Sequence, residues 1–322
     1  MNIEAQQTQI EPQSPRTPVQ KSNLWKTSLV RILDNPVILK ELRGRMRGRQ
    51  AFILLSIYLG LIALFIGILY TFLAREISSV SPDPNSRQML GKVIFGAVVL
   101  LELLLVSFIG PGLTSGAISS ERERKTFDLL RTTLLSASAL VLGKLGSAFT
   151  YLFLLILTTL PIQSLAFLLG GVGMAEMVVS SIMLIVTALF FCTLGIFFSS
   201  FMKRTLPATL SSYGSILLSI LVVALISFLL SFLESGSSLS KARESMITLI
   251  VWFLISTNPF AAAIVSEVIL VDEQNLFFTH SSPFGNTNIT LPSPWIIFVV
   301  VYLLLITMMI FIAILRVKRP DR

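Results

Sequence analysis

The sequence predicts an all-α integral membrane protein. It should hold six transmembrane helices, an N-terminal interfacial helix, a charged cytoplasmic helix between spans 2 and 3, and a re-entrant helical hairpin before span 6. Three observations predict this. First, 54% of the 322 residues are hydrophobic, only 13% are charged, and the mean hydropathy is +0.83. A soluble domain could not hide that much apolar surface, so lipid must be the solvent for most of the chain. Second, the apolar residues gather in long runs. A helix rises about 1.5 Å per residue, so about 20 of them cross the hydrocarbon core. Third, Lys and Arg sit at the ends of those runs, as in a membrane protein. The net charge of +8 therefore does not point to nucleic acid.

Residues 1–23 are polar and proline-bearing and are expected to be a disordered cytoplasmic tail rather than a signal peptide. Residues 24–50 are expected to form an amphipathic interfacial segment. Asn35-Pro36 makes a good helix start, with Asn as cap and Pro in the first turn. Ile38, Leu42 and Met46 then share one face, while Lys40, Arg43, Arg45, Arg47 and Arg49, with Glu41 among them, crowd the rest. Such a helix lies in the headgroup layer and attracts anionic lipid, with Trp25 at the interface. It serves as a topogenic anchor or as a mechanical element, and both readings stand.

Residues 51–316 are the transmembrane domain, with spans at about 51–73, 93–117, 145–169, 174–199, 207–232 and 295–315, and 317–322 form a cytoplasmic tail. With the N-terminus inside, twenty of the 25 basic residues fall in cytoplasmic segments. A seventh apolar region, 247–270, is interrupted by Thr257-Asn258-Pro259, and Pro259 has no backbone donor. A full crossing there would place the basic tail outside. Two half-helices broken at Asn258-Pro259, entering and leaving on the outer side, keep it inside.

The loop of residues 118–144 carries charges of both signs. Ser120 and Glu123 have the spacing of a capping box, so a helix is expected from Glu121, with Glu121–Lys125 and Arg124–Asp128 as surface pairs. Phe127, Leu130 and Leu134 would form its apolar stripe. Glu121, Glu123 and Asp128 would be repelled by anionic lipid, whereas alternating charges suit a protein partner. A docking helix and a solvated loop both fit.

This loop resembles the one between the second and third spans of ABC-2 type permeases, the membrane subunits of one class of ATP-binding-cassette exporter. The residues that carry the resemblance are Pro111, Gly116-Ala117-Ile118, Glu121-Arg122-Glu123, Thr126, Leu129-Leu130, Thr133, Ser136 and Gly143-Lys144. The run NPVILKELRGRMRGRQAF also looks like the family's interfacial helix. The chain departs from the pattern at Lys125, Leu134 and Ala139, where the family often has glycine, proline and an acidic residue. The resemblance implies an ABCG-like architecture and a dimer, formed with an identical or related permease. It also implies that Ser120, Glu121, Arg122, Glu123, Arg124, Lys125, Thr126, Phe127, Asp128, Leu129 and Leu130 act as a coupling helix on a separate ATPase subunit. The chain has no phosphate-binding loop, because Gly143-Lys144 lacks the upstream glycine and the following Ser or Thr. ATP and Mg would therefore be bound by the partner, and no cofactor by this chain. A bacterial plasma membrane, with both termini cytoplasmic, is the expected location.

Other candidates lie in the spans. Glu102 is acidic at mid-membrane, and either works in the path or faces a neighbouring helix protonated or hydrogen-bonded. Glu267 is expected near the outer surface, as a gate residue or a snorkelling one. Gly110-Pro111-Gly112 predicts a kink in span 2. Polar patches at Thr158, Thr159 and Gln163, and at Ser211, Ser212, Tyr213, Ser215 and Ser219, serve packing or line a nearly uncharged path. An amphipathic or lipid-like cargo suits such a path better than a metal ion.

An intramembrane enzyme is the reading that fares worst. The chain has one histidine, His280, and one cysteine, Cys192, so it has no paired histidines for zinc, no disulfide and no activated thiol. A membrane scaffold that uses the permease fold without transporting remains the alternative.

Overall fold

The computed structural model describes residues 41–44, 46, 48–79, 84–127, 136–168, 171–235, 241–273, 275–279 and 290–318. All of them belong to one compact unit, Pro36–Arg322. The expected tail, the Asn35-Pro36 helix start, Lys40, Arg45, Arg47, Asp128, Leu129, Leu130 and Leu134 lie outside the described residues.

Residues 41–44 are helical, a bend follows at Gly48, and α1 begins at once as Arg49–Ser79. Then come α2 (Pro84–Thr114), the short α3 (Ser119–Glu123), α4 (Ala137–Leu168), α5 (Met174–Phe201) and α6 (Thr205–Ser235). Two half-length helices follow, α7 (Lys241–Ser256) and α8 (Pro259–Glu273). A two-stranded antiparallel ribbon, β1 (Phe278–Thr279) with β2 (Leu291–Pro292), leads to α9 (Pro294–Lys318).

Six of these helices, α1, α2, α4, α5, α6 and α9, are long and apolar enough to cross a membrane, and the protein is a multi-pass membrane protein. They fall into two classes. The most apolar windows of α4 and α5 are 61% buried within the chain, against 11% in α1 and 17% in α6. The second class leaves rows of large apolar side chains on the outside, such as Leu210, Leu217, Leu221 and Leu225 on α6, and lipid is the solvent that suits them.

With lipid outside, hydrophobic burial cannot hold helices together, so close backbone approach must do more. Gly195 of α5 shows this. A Cβ built there would fall 2.1 Å from the Thr114 hydroxyl and 3.1 Å from Cα of Pro111. Only a bare Cα lets α5 sit against the end of α2. A Cβ at Gly110 would meet Phe191 at 3.3 Å and Leu152 at 3.5 Å, and one at Gly112 would meet the Tyr213 hydroxyl of α6 at 2.9 Å. The helix runs through Gly110-Pro111-Gly112 to Thr114, so these glycines act as contact points between helices. Two buried hydroxyls are satisfied within their own helix: Ser107 donates to the Leu103 carbonyl at 2.6 Å and Thr187 to that of Met183 at 2.7 Å.

The third long helix starts at Ala137, not at 145. Residues 137–143 are apolar or small, and Lys144, which reads as a span boundary, is a paired and buried residue inside the helix.

Between α7 and α8 the apolar stretches Thr248–Ser256 and Pro259–Leu270 bend by 109°, as a broken span or a re-entrant loop does. Pro259 occupies the first position of α8, where its missing N–H costs nothing. The Asn258 side chain accepts from the N–H groups of Phe260 at 3.0 Å and Ala261 at 3.3 Å, and its amide donates to the Ser219 carbonyl of α6 at 2.7 Å. The Tyr302 hydroxyl of α9 donates to the Thr257 carbonyl at 3.1 Å. The break is thus satisfied by two neighbouring helices, as irregular backbone inside a bundle must be.

Candidate functional site

At the end of the bundle where α2, α5 and α9 finish and α4 and α6 begin, charged side chains from distant parts of the sequence are tied together. The organising element is α3. Its single turn follows α2 because Ser199 of α5 accepts the backbone N–H groups of Ile118 and Ser119, each at 2.9 Å. Ile118 and Ser119 are fully buried, so the turn is wedged against α5. No side-chain bond caps α3 itself. The capping box expected between Ser120 and Glu123 does not form, because the Glu123 carboxylate is engaged elsewhere.

Three consecutive charges of α3 reach three different helices. Glu121 faces α4, with its Oε1 3.7 Å from Lys144 Nζ. Arg122 donates to the Ser200 carbonyl at the end of α5 at 2.8 Å and lies over the Phe127 ring at 5.0 Å. A cation suits that place, since the carbonyls at a helix C-terminus carry partial negative charge. Glu123 accepts from the backbone N–H of Thr205 at 3.2 Å and from its hydroxyl at 2.9 Å. It therefore supplies negative charge to the positive end of α6.

Lys144 extends the network. Its Nζ lies 3.1 Å from Glu41 Oε1, and Ser147 donates to the other oxygen of Glu41 at 3.0 Å. One buried ammonium thus joins the segment before α1, the helix α4 and the turn α3. The expected i, i+4 pair of Glu121 with Lys125 is replaced by this contact. After Glu123 the chain turns: the Thr126 hydroxyl donates to the Glu121 carboxylate at 2.5 Å, and Lys125 takes a left-handed conformation with φ of 59°. Glycine adopts that region more readily than lysine does. Arg124 and Lys125 are exposed and turn away from the network, and Arg43 and Arg49 are exposed as well.

The remaining candidates lie apart from this end. Glu102 is wholly buried and accepts from Gln163 of α4 at 2.7 Å, so it faces a neighbouring helix rather than a groove. Tyr58 of α1 and Thr159 of α4 complete its surroundings. Asn258 and Pro259 form the break described above. Oε1 of Glu267 is buried without a hydrogen-bond partner. An open apolar groove of about 550 Å³ lies between α1, α2, α6 and α8, walled by Phe65, Leu104, Ile220 and Phe260. Among the described residues, no group of three or more His, Cys, Asp or Glu could hold a metal ion.

Sequence reasoning missed Lys144, Ser199 and Thr205 as members of the site. A lysine inside an otherwise apolar run was the available signal for the first, since such a charge needs a partner. Thr205 heads a helix, a position where hydroxyl residues are favoured. No model of a known protein family matches the chain, and no curated protein matches it.

Proposed function

We propose that the chain is the permease subunit of an ATP-driven exporter, working as a dimer in a plasma membrane and moved by a separate ATPase that bears on α3 and the residues after it. The observation that carries this reading is the attachment of Glu121, Arg122 and Glu123 to α4, α5 and α6. A push on a solvated loop would be absorbed by the loop. A push on α3 would move three spans, and through Lys144 and Glu41 it would also move the segment before α1. Arg124 and Lys125 present the outward charges that a partner can grip. ATP and Mg would reside on that partner.

The bent pair α7–α8 would be a re-entrant hairpin at the outer gate, with both termini in the cytoplasm, because this arrangement places the basic residues inside. A second permease subunit facing the apolar groove would convert it to a path, suited to an apolar or lipid-like cargo.

The test is co-purification from native membranes in mild detergent with a C-terminal tag. An ATPase with a phosphate-binding loop should accompany the wild-type chain. Replacing Arg124 and Lys125 together by Glu should release it and leave the melting temperature unchanged. Charge reversal at Glu121 and Glu123 would be a poor choice, since both carboxylates also hold the bundle together. If no ATPase accompanies the wild-type chain in several mild detergents, the reading falls and a non-transporting scaffold takes its place.

A further inference from the structure

A partly open cavity of about 150 Å³ lies between α2, α5 and α8, remote from the charged end and next to the apolar groove, with which it shares Leu100 and Ile264. Its walls are almost wholly apolar, with Val99, Val179, Met183 and Ala263 facing one another across it. Two polar groups of α8 interrupt that lining. Ser266 is 2% exposed and its hydroxyl has no hydrogen-bond partner, and Oε1 of Glu267 is buried without one. A buried acceptor left unmade costs about 1–3 kcal/mol, so two on one wall call for an explanation. Gly96 of α2 packs against the same wall, where a Cβ would meet Glu267 at an ordinary contact distance of 3.8 Å.

The charged groups within reach of Glu267 are Glu176 and Lys92. The Glu176 carboxylate is occupied in accepting from the Gly173 N–H at 3.1 Å. Glu267 therefore keeps an unpaired oxygen at the polar wall of a cavity the size that holds a benzene ring. A primary ammonium carries three donors and could serve Ser266 and Glu267 together.

We propose that this cavity is a binding site for a small amine with a compact apolar body, its ammonium on Glu267 and Ser266 and its apolar part against α2 and α5. The site requires no ATPase and stands whether or not the chain is a permease.

The experiment is thermal melting of the detergent-purified full chain with benzylamine, benzyl alcohol or toluene, compared in wild type and variants. Benzylamine should raise the melting temperature at concentrations at least ten-fold below those benzyl alcohol needs. Glu267→Gln should remove that preference and leave the response to toluene intact. Ser266→Ala should weaken the preference about three-fold. Gly96→Val should fill the cavity and abolish all three responses. Should Glu267→Gln melt too early to compare, Ser266→Ala and Gly96→Val decide the matter. Equal stabilisation by the amine and the neutral compounds would overturn the proposal, leaving an apolar void. So would a benzylamine response that survives Gly96→Val, or no response to any of the three.

Discussion

Two interruptions of helix in this molecule are held in opposite ways. At the charged end, the turn from α2 through α3 is fixed by carboxylates, an arginine and a lysine drawn from three stretches of chain. At the break between α7 and α8, one neutral side chain, Asn258, does the equivalent work with one amide and one carbonyl oxygen. The difference follows from the surroundings. At the end of the bundle, ionic groups keep part of their hydration, so charges can be gathered at modest cost. Asn258 meets Ser219, near the middle of α6, where an ionic group would lose its water and a neutral amide loses far less. Position along the bundle thus selects between ionic and neutral fastening.

The comparison predicts that the neutral fastening is the harder to replace. Asn258→Leu leaves the buried N–H groups of Phe260 and Ala261 without their acceptor and removes the amide bond that ties the break to Ser219 of α6. At about 1–3 kcal/mol for each unsatisfied group, it should be the most damaging single change, costing several kcal/mol and dropping the melting temperature sharply. If Asn258→Leu melts like wild type, the break is not held by its side chain and the contrast fails.

The next effect probes the packing that both regions depend on. Gly195→Val would drive side-chain atoms into Thr114 and the Pro111 backbone, and overpacking of this kind costs about 1–3 kcal/mol. Because Pro111 and Thr114 lead directly into α3, its loss should be accompanied by faster proteolysis after Arg122 or Arg124. Gly96, which has open cavity beside it, should accept Ala with little change.

Much of this architecture was legible in the sequence, and the parts that were not share a cause. The six long helices follow from run length alone, and the break follows from Asn258-Pro259, where a cap residue precedes a proline. The start of α4 was hidden because a lysine reads as water, and only the fold shows that Lys144 is matched by Glu41 and Glu121. The capping box failed for the same reason: Ser120 and Glu123 satisfy a local rule, but Thr205, far along the chain, wins the carboxylate. Pairings between distant residues are what the sequence conceals.

Lys144 lies between the two extremes, buried yet ionic. Lys144→Met removes both of its ion pairs and leaves Glu41 and Glu121 facing each other, with side chains still 24% and 31% exposed. Part of the lost energy is therefore recovered by hydration, and a net cost of about 1–2 kcal/mol is expected. Pairing it with Glu41→Gln should give a total smaller than the sum of the two, since each removes the other's partner. Strict additivity would mean that the two residues do not share an interaction in solution.

The smallest effect separates the two kinds of fastening most cleanly. Glu123→Gln keeps the shape of the cap on α6 and removes only its charge, at a fully exposed position, so the melting temperature should fall slightly at low salt. Raising the salt to about 1 M shortens the screening length to about 3 Å, and the gap between Glu123→Gln and wild type should then close. Lys144→Met should respond in part, because its pairs are only partly exposed. Asn258→Leu should not respond, because hydrogen bonds between neutral groups in the bundle interior are beyond the reach of dissolved ions. A salt series over these three variants therefore ranks the fastenings by how much of each is charge. If Asn258→Leu proved as salt-sensitive as Glu123→Gln, water and ions would reach the break, and the neutral fastening would need a different explanation.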